Sequence, residues 1–293
     1  MQVKHLFTLM ELKSLPNTDN RIELWRNTIQ LFHSYKKINF NGPFFATGYT
    51  NYRIESPLSE KDTGNPKTPD IFACGPKGWL ILELSCSDES KKGQLDSYKN
   101  LDPRSLSTYG CHAYDAPPDT ICSRPDFNND GDHCEIVVKD SFNVKKDQFI
   151  AENSLRDALI NMKGKDLKRL PEIPFSLVPE MKHYEIRRGI VDIILQLFDG
   201  RSDGKTAFQM CEKGLERIFE LIPASSKKSL TDKITNEMET LLEKELTGYL
   251  ELREGKYYAT DKFKQYPKSR MYVALKLKEW ADSSQKTFQD FNM

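Results

Sequence analysis

The chain has 293 residues, enough for about two domains at roughly 100–200 residues each. Its 43 lysines and arginines are balanced by 43 aspartates and glutamates, which excludes a uniformly polybasic nucleic-acid coat but not a neutral chain with its positive charge gathered on one face. The 16 Phe and 12 Tyr supply large apolar bodies for a core, so a disordered chain is excluded too.

No apolar run nears the roughly 18 residues of a membrane span. The opening MQVKHLFTLMELK lacks a signal-peptide pattern, and six cysteines are too dilute for a disulfide scaffold. These features predict a cytoplasmic protein without a membrane partner.

In chain order, the first predicted element is a helix over 21–33, with Ile22, Trp25, Ile29 and Phe32 at steps of three to four and Asp19 or Asn20 as N-cap. From Asn39 to about Phe149 the pattern is short extended runs over 47–54, 69–74, 79–85 and 134–138, separated by breakers such as Gly75-Pro76-Lys77-Gly78. Trp79-Leu80-Ile81-Leu82 is continuously apolar up to Glu83, as expected of a strand buried on both faces. A helix is predicted next, over 90–99.

Beyond Phe149 the spacing is helical over 153–162, 185–198, 207–221 and 230–245. A hairpin over 249–260 and a last helix over 271–280 complete the order of a winged helix. The reading is therefore an α/β domain over 1–149 and a mainly helical region over 150–293, with Leu170-Pro171-Glu172-Ile173-Pro174 as a connector.

The chemistry concentrates around the buried strand. Asp70 opens Asp70-Ile71-Phe72-Ala73-Cys74 and Glu83 ends the apolar run, with a connection short enough for a hairpin. Antiparallel pairing brings the two carboxylates together at the end away from the turn. Two acids held close need a cation or a shared proton, and oxygen ligands in a partly hydrated site suit Mg²⁺, with Mn²⁺ as substitute. Such an ion polarises a phosphoryl oxygen and lowers the pKa of bound water.

Pro69-Asp70, then Glu83-Leu84-Ser85 after the apolar strand, then Gln94 and Tyr98 four apart, resemble the PD-(D/E)XK nuclease superfamily over roughly residues 15–140. The resemblance implies a restriction-endonuclease-like mixed sheet flanked by helices and a Mg²⁺-dependent endonuclease acting on DNA, in restriction, phage defence, repair or mobile-element processing. Asp70 and Glu83 correspond to its metal ligands, Glu23 to its helix glutamate, and Gln94 to a group that positions backbone or water.

The family's lysine, two residues after the glutamate, is Ser85 here, and a serine supplies no cation. Two readings follow. Either Lys91 or Lys92, at the start of the next helix, reaches back into the site, or catalysis is lost and the fold serves as a DNA-binding or assembly subunit.

Two metal motifs are set aside. Asp126, Asn128, Asp130 and Gly131 match the start of an EF-hand loop, but Val137 stands where its bidentate Glu belongs. Cys111, His112, Cys122, His133 and Cys134 lack the close spacing of a zinc site and read as buried or free thiols and ordinary histidines.

From Gly255 to Lys278 there are seven basic residues against one acid, Asp261, interleaved with tyrosines. Lys256, Tyr258, Lys262, Lys264, Lys268 and Arg270 are the expected nucleic-acid contacts. Glu237, Glu239, Glu243 and Glu245 on the preceding helix oppose this by repelling phosphates, and they favour instead a wing that binds protein. Homodimerisation and a partner subunit both stay open.

Overall fold

The computed structural model describes residues 16–86, 91–126, 133–146, 153–171, 173, 175–198, 203–264, 272–273, 275–277 and 279–281. Lys268 and Arg270, most of the EF-hand-like segment and Ser90, the start of the second predicted helix, lie outside them. The chain is mixed α/β and divides into two units, one of residues 23–174 with 220–223, the other of residues 1–22, 175–219 and 224–293.

The first unit is built on a six-stranded sheet. Its strands are β1 (Asn51–Ile54), β2 (Ile71–Cys74), β3 (Trp79–Leu84), β4 (Asp119–Arg124), β5 (Cys134–Val138) and β6 (Phe142–Lys146), and they lie side by side in chain order. β1, β2 and β3 form an antiparallel meander; β4 and β5 follow parallel to β3; β6 returns antiparallel.

Every residue of β3 is buried, as its apolar run predicts. On the face that carries Trp79 and Ile81, Leu95, Tyr98, Leu101 and Leu106 close the core. They come from the short helix α2 (Lys92–Ser97) and the 3₁₀ turns Tyr98–Asn100 and Pro103–Tyr109. The opposite face is met by α1 (Pro16–Gln30), where Thr28 Oγ1 and Ser123 Oγ of β4 lie 2.9 Å apart. Trp25 and Ile29 of α1 are buried as predicted, while Ile22 is only half-buried.

β4 and β6 are absent from the sequence reading. Asp119-Thr-Ile-Cys-Ser-Arg124 has too few apolar residues to stand out, and its burial comes from its parallel neighbours. The prolines at 118 and 125 that bracket it were the available signal.

The unit boundary falls at Pro174 rather than at 149–150. The reason is α3 (Asn153–Met162), whose Leu155, Leu159 and Met162 form one buried stripe. It packs on the one-turn helix Pro43–Ala46 and on β6, so it belongs to the sheet.

The second unit contains α4 (His183–Leu197), α5 (Ala207–Leu215), α6 (Ala224–Glu243) and the hairpin β7 (Leu250–Arg253) with β8 (Lys256–Ala259). α5 opens on a capping box in which Thr206 and Gln209 satisfy each other's backbone N–H. It ends at Leu215, earlier than predicted, because Glu216 takes a left-handed φ of 47°. α6 starts right after Pro223, two turns earlier than its apolar periodicity suggests. The β7–β8 turn places Glu254 (φ 50°) and Gly255 (φ 72°) both in the left-handed region, the two-residue turn whose twist matches its strands. Lys205, just before α5, joins the hairpin by a reciprocal pair of backbone bonds with Tyr257, at 2.9 and 2.8 Å.

Candidate functional site

The β2–β3 hairpin has the expected antiparallel register, with Ile71 opposite Leu82. Asp70 and Glu83 are the next pair outward, at the end away from the turn. The Asp70 N–H points at Glu83 Oε1 across 3.4 Å, and the Leu84 N–H donates to Asp70 Oδ2 at 2.6 Å. Asp70 is half-buried, whereas Glu83 is 0% exposed.

A carboxylate in that position is costly unless its oxygens are met. The start of α2 and the turn after it meet them. Tyr98 donates its hydroxyl to Glu83 Oε1 at 2.5 Å. Gln94 donates Nε2 to Glu83 Oε2 at 2.8 Å and also to the Tyr98 oxygen at 3.0 Å. The Lys91 ammonium stands 3.7 Å from Glu83 Oε2 and donates to Gln94 Oε1 at 3.1 Å. Residues 91, 94 and 98 share one helix face at steps of three and four, which is why one short element supplies three partners.

Burial pushes the Glu83 carboxyl upward. The Tyr98 hydrogen bond, the Lys91 charge and the Asp70 N–H pull the other way without cancelling it. Burial, the Glu83 charge and the Tyr98–Glu83 hydrogen bond together push the Tyr98 hydroxyl up, so it stays a donor.

No protein-family model, curated protein or solved structure matches this chain. The site therefore stands on its own geometry.

Of the two candidate lysines, Lys91 is the one ion-paired with Glu83, while Lys92 acts on Asp96, whose carboxyl is held low chiefly by its hydrogen bond from Lys99 and only lastly by the Lys92 charge. Glu23 is not gathered with them. It lies 3.4 Å from Arg26, one turn on along α1, and its charge also reaches Lys168. Ser85 is buried, and its N–H donates to the Ser123 carbonyl at 3.0 Å.

Beside it on β4 is a group the sequence reading missed. Arg124 is 2% exposed and 3.7 Å from Glu135 of β5, which Lys145 of β6 approaches at 3.8 Å. A basic and an acidic residue on adjacent strands were the only clue.

Cys111 lies beside Cys74 in the core that also holds Cys122, and the histidines stand apart from them. Cys111 accepts from Asn51 Nδ2 at 3.2 Å, and His133 lies between Thr120 (3.2 Å) and Asp96 (3.7 Å). Among the described residues no three His, Cys, Asp or Glu side chains converge as a metal cluster.

In the second unit, Lys256, Lys262 and Lys264 are exposed. Tyr258 is half-buried. Its ring lies where a Cβ on Gly204 would come within 2.4 Å, and the Arg253 guanidinium covers it at 4.4 Å. On the acidic helix one of the four glutamates is withdrawn from the surface. Glu237 is buried and bonded to Arg187 Nε at 2.7 Å, so it presents no charge to a polyanion. The exposed positions of α6 are Ala224, Ser225, Lys228, Ser229, Asp232 and Asn236, with Glu239 and Glu243 further along.

Proposed function

We propose that the protein is a metal-dependent nuclease that hydrolyses DNA phosphodiester bonds, with a restriction-endonuclease-like first unit and a winged-helix second unit. The observation that carries this reading is the pairing of Asp70 and Glu83 at one sheet end with the Lys91 ammonium against Glu83. The resemblance implies a mixed sheet flanked by helices, and the antiparallel β1–β3 with α2 and the parallel β4 support that reading. The winged-helix reading of the second unit is supported by its three helices and by Lys205 bridged to a tight hairpin.

Asp70 and Glu83 fit a hard divalent cation, because Mg²⁺ is held through one or two carboxylates while water and phosphate complete its shell. Mn²⁺ accepts the same donors. Bound there, such an ion supplies Lewis-acid polarisation of a phosphoryl oxygen. Lys91 takes the place of the lysine that Ser85 leaves out, offsetting negative charge at Glu83 and at the attacked phosphate. Gln94 and Tyr98 fix the orientation of the Glu83 carboxylate. Lys256, Lys262 and Lys264 contact the DNA backbone. Restriction or phage defence is the role the resemblance suggests.

The test is plasmid cleavage in Mg²⁺ or Mn²⁺ by the wild type, Asp70→Ala and Glu83→Ala. Cleavage by the wild type alone is expected, and equal residual cleavage by all three would sink the site.

One observation favours a second reading, a nuclease-like subunit that binds DNA without cutting it. Both Glu83 oxygens already have protein donors, and Ser85 carries no charge. Calorimetry separates the two. Mg²⁺ or Mn²⁺ uptake that is lost in Asp70→Ala supports the enzyme, and intact DNA binding with no metal uptake supports the subunit.

A further inference from the structure

The second unit holds a cavity of about 440 Å³ lined by Lys244, Glu245, Tyr272, Lys276, Glu279 and Trp280. Tyr272 stacks on Tyr249 with ring centroids 5.5 Å apart and planes 29° from parallel, and the Lys262 ammonium lies 4.2 Å from the Tyr249 ring centre. Tyr272 itself is 45% exposed. The chain thus presents the end of an aromatic stack to an open cavity.

The charges around that cavity limit its occupant. Two lysines face two glutamates, and Lys276 is bonded to Glu279 at 2.8 Å, so neither a bare phosphate nor a bare cation is favoured. The Glu245 carboxyl is part of the cavity lining, where an N–H edge on the occupant finds an acceptor. The complementary ligand is flat, stacks on a tyrosine, offers an N–H edge and is followed by a phosphate that lysines outside the Lys276–Glu279 pair can meet. Lys244 and Lys262 are such lysines.

We infer that this cavity binds an unpaired nucleobase, so that the second unit grips single-stranded nucleic acid or a frayed strand end in addition to duplex backbone. This rests on the reading of the protein as one that acts on nucleic acid and names the strand form it prefers. Stacking on an aromatic ring is tolerant of base identity. Guanine, with two adjacent N–H donors, suits a carboxylate well.

The experiment is fluorescence anisotropy with the full chain. Its probes are a labelled single-stranded oligonucleotide of mixed sequence, the same strand with abasic sites, and the corresponding duplex. Tyr272→Ala should weaken single-strand binding by roughly tenfold, the scale of one stacked base, and leave duplex binding unchanged. Glu245→Ala should weaken it in the same direction. Tyr272→Phe keeps the stacking face and should bind as the wild type does, which separates stacking from a folding defect.

The inference is overturned if the abasic strand binds as tightly as the normal one, if Tyr272→Ala loses nothing, or if Tyr272→Phe is as weak as Tyr272→Ala. Salt-sensitive duplex binding with no preference for the base-bearing single strand would overturn it while leaving the nuclease reading intact. Failure of the wild type to bind any of the three probes would remove both.

Discussion

Tyr98 donates its hydroxyl to Glu83 Oε1 across 2.5 Å, tying the turn after a short helix to the buried end of the central strand. Tyr98 is 2% exposed and Glu83 is 0% exposed, so water does not replace the bond when it is lost.

Tyr98→Phe should therefore destabilise the protein by about 1–3 kcal/mol, the cost of leaving a buried acceptor short of a donor. It should also raise the Glu83 carboxyl further, because the hydrogen bond it removes favours the charged form. Urea unfolding of wild type and variant measures the first effect. An unchanged midpoint would mean that Glu83 does not depend on this donor.

The raised Glu83 carboxyl has a pH signature. The native state holds this proton at pH values where the unfolded chain has released it. Stability therefore falls as pH rises from the ordinary glutamate value toward the native one, and the loss is complete above both. Glu83→Gln cannot ionise and should flatten that slope. Unfolding free energies across a pH series compare the two chains. Parallel curves would show that Glu83 is not the group responsible.

The two lysines before α2 should separate in activity. Lys91→Ala should reduce cleavage by roughly a hundredfold, as expected when one electrostatic contact in a preorganised site is removed. Lys92→Ala should stay close to wild type. Single-turnover rates on a labelled duplex decide the matter, and the opposite ranking would move the cationic role to Lys92.

On the hairpin side, Tyr258 and Gly204 should be coupled. Gly204→Ala places a Cβ within 2.4 Å of the Tyr258 ring and should cost about 1–3 kcal/mol by overpacking. In a Tyr258→Ala background most of that cost should vanish, a non-additivity that a double-mutant cycle in thermal unfolding reads directly. Lys256→Ala should instead leave stability alone and reduce the salt slope of DNA binding by about one.

The buried pair of Arg124 and Glu135 should be sensitive to losing one side only. Glu135→Leu leaves a guanidinium buried without its carboxylate and should cost about 3–5 kcal/mol, and adding Arg124→Met should recover most of it. Equal stability of the single and double variants would mean that another acceptor or solvent already meets the guanidinium when Glu135 is gone.

Much of the sheet side was legible in the sequence because one signal dominates it. A charge closing a fully apolar run places Glu83 at a strand end, and a turn of fixed length then sets Asp70 opposite it. Lys91 was nameable only as one of two candidates, since the choice depends on the helical phase at which α2 begins, and sequence periodicity blurs that by a residue or two. β4 was not legible because its burial is conferred by neighbours rather than by its own side chains. Tyr258 looked available for contact because a basic segment surrounds it. Its ring also packs on Gly204, far away in sequence.

Because Lys91, Gln94 and Tyr98 ride on one short segment while Ser85 contributes no charge from the strand, the Glu83 carboxylate has its partners in a single cassette. Three of its four contacts arrive or depart together. A lysine on β3 itself would be held by the hydrogen-bond ladder, but a lysine at the mouth of a six-residue helix is held only as long as that turn stays wound. Because Leu95 and Tyr98 of the same segment also close the core over β3, losing that turn would strip Glu83 of three donors and uncover the sheet in one event, whose free energy amide exchange over residues 91–98 reports.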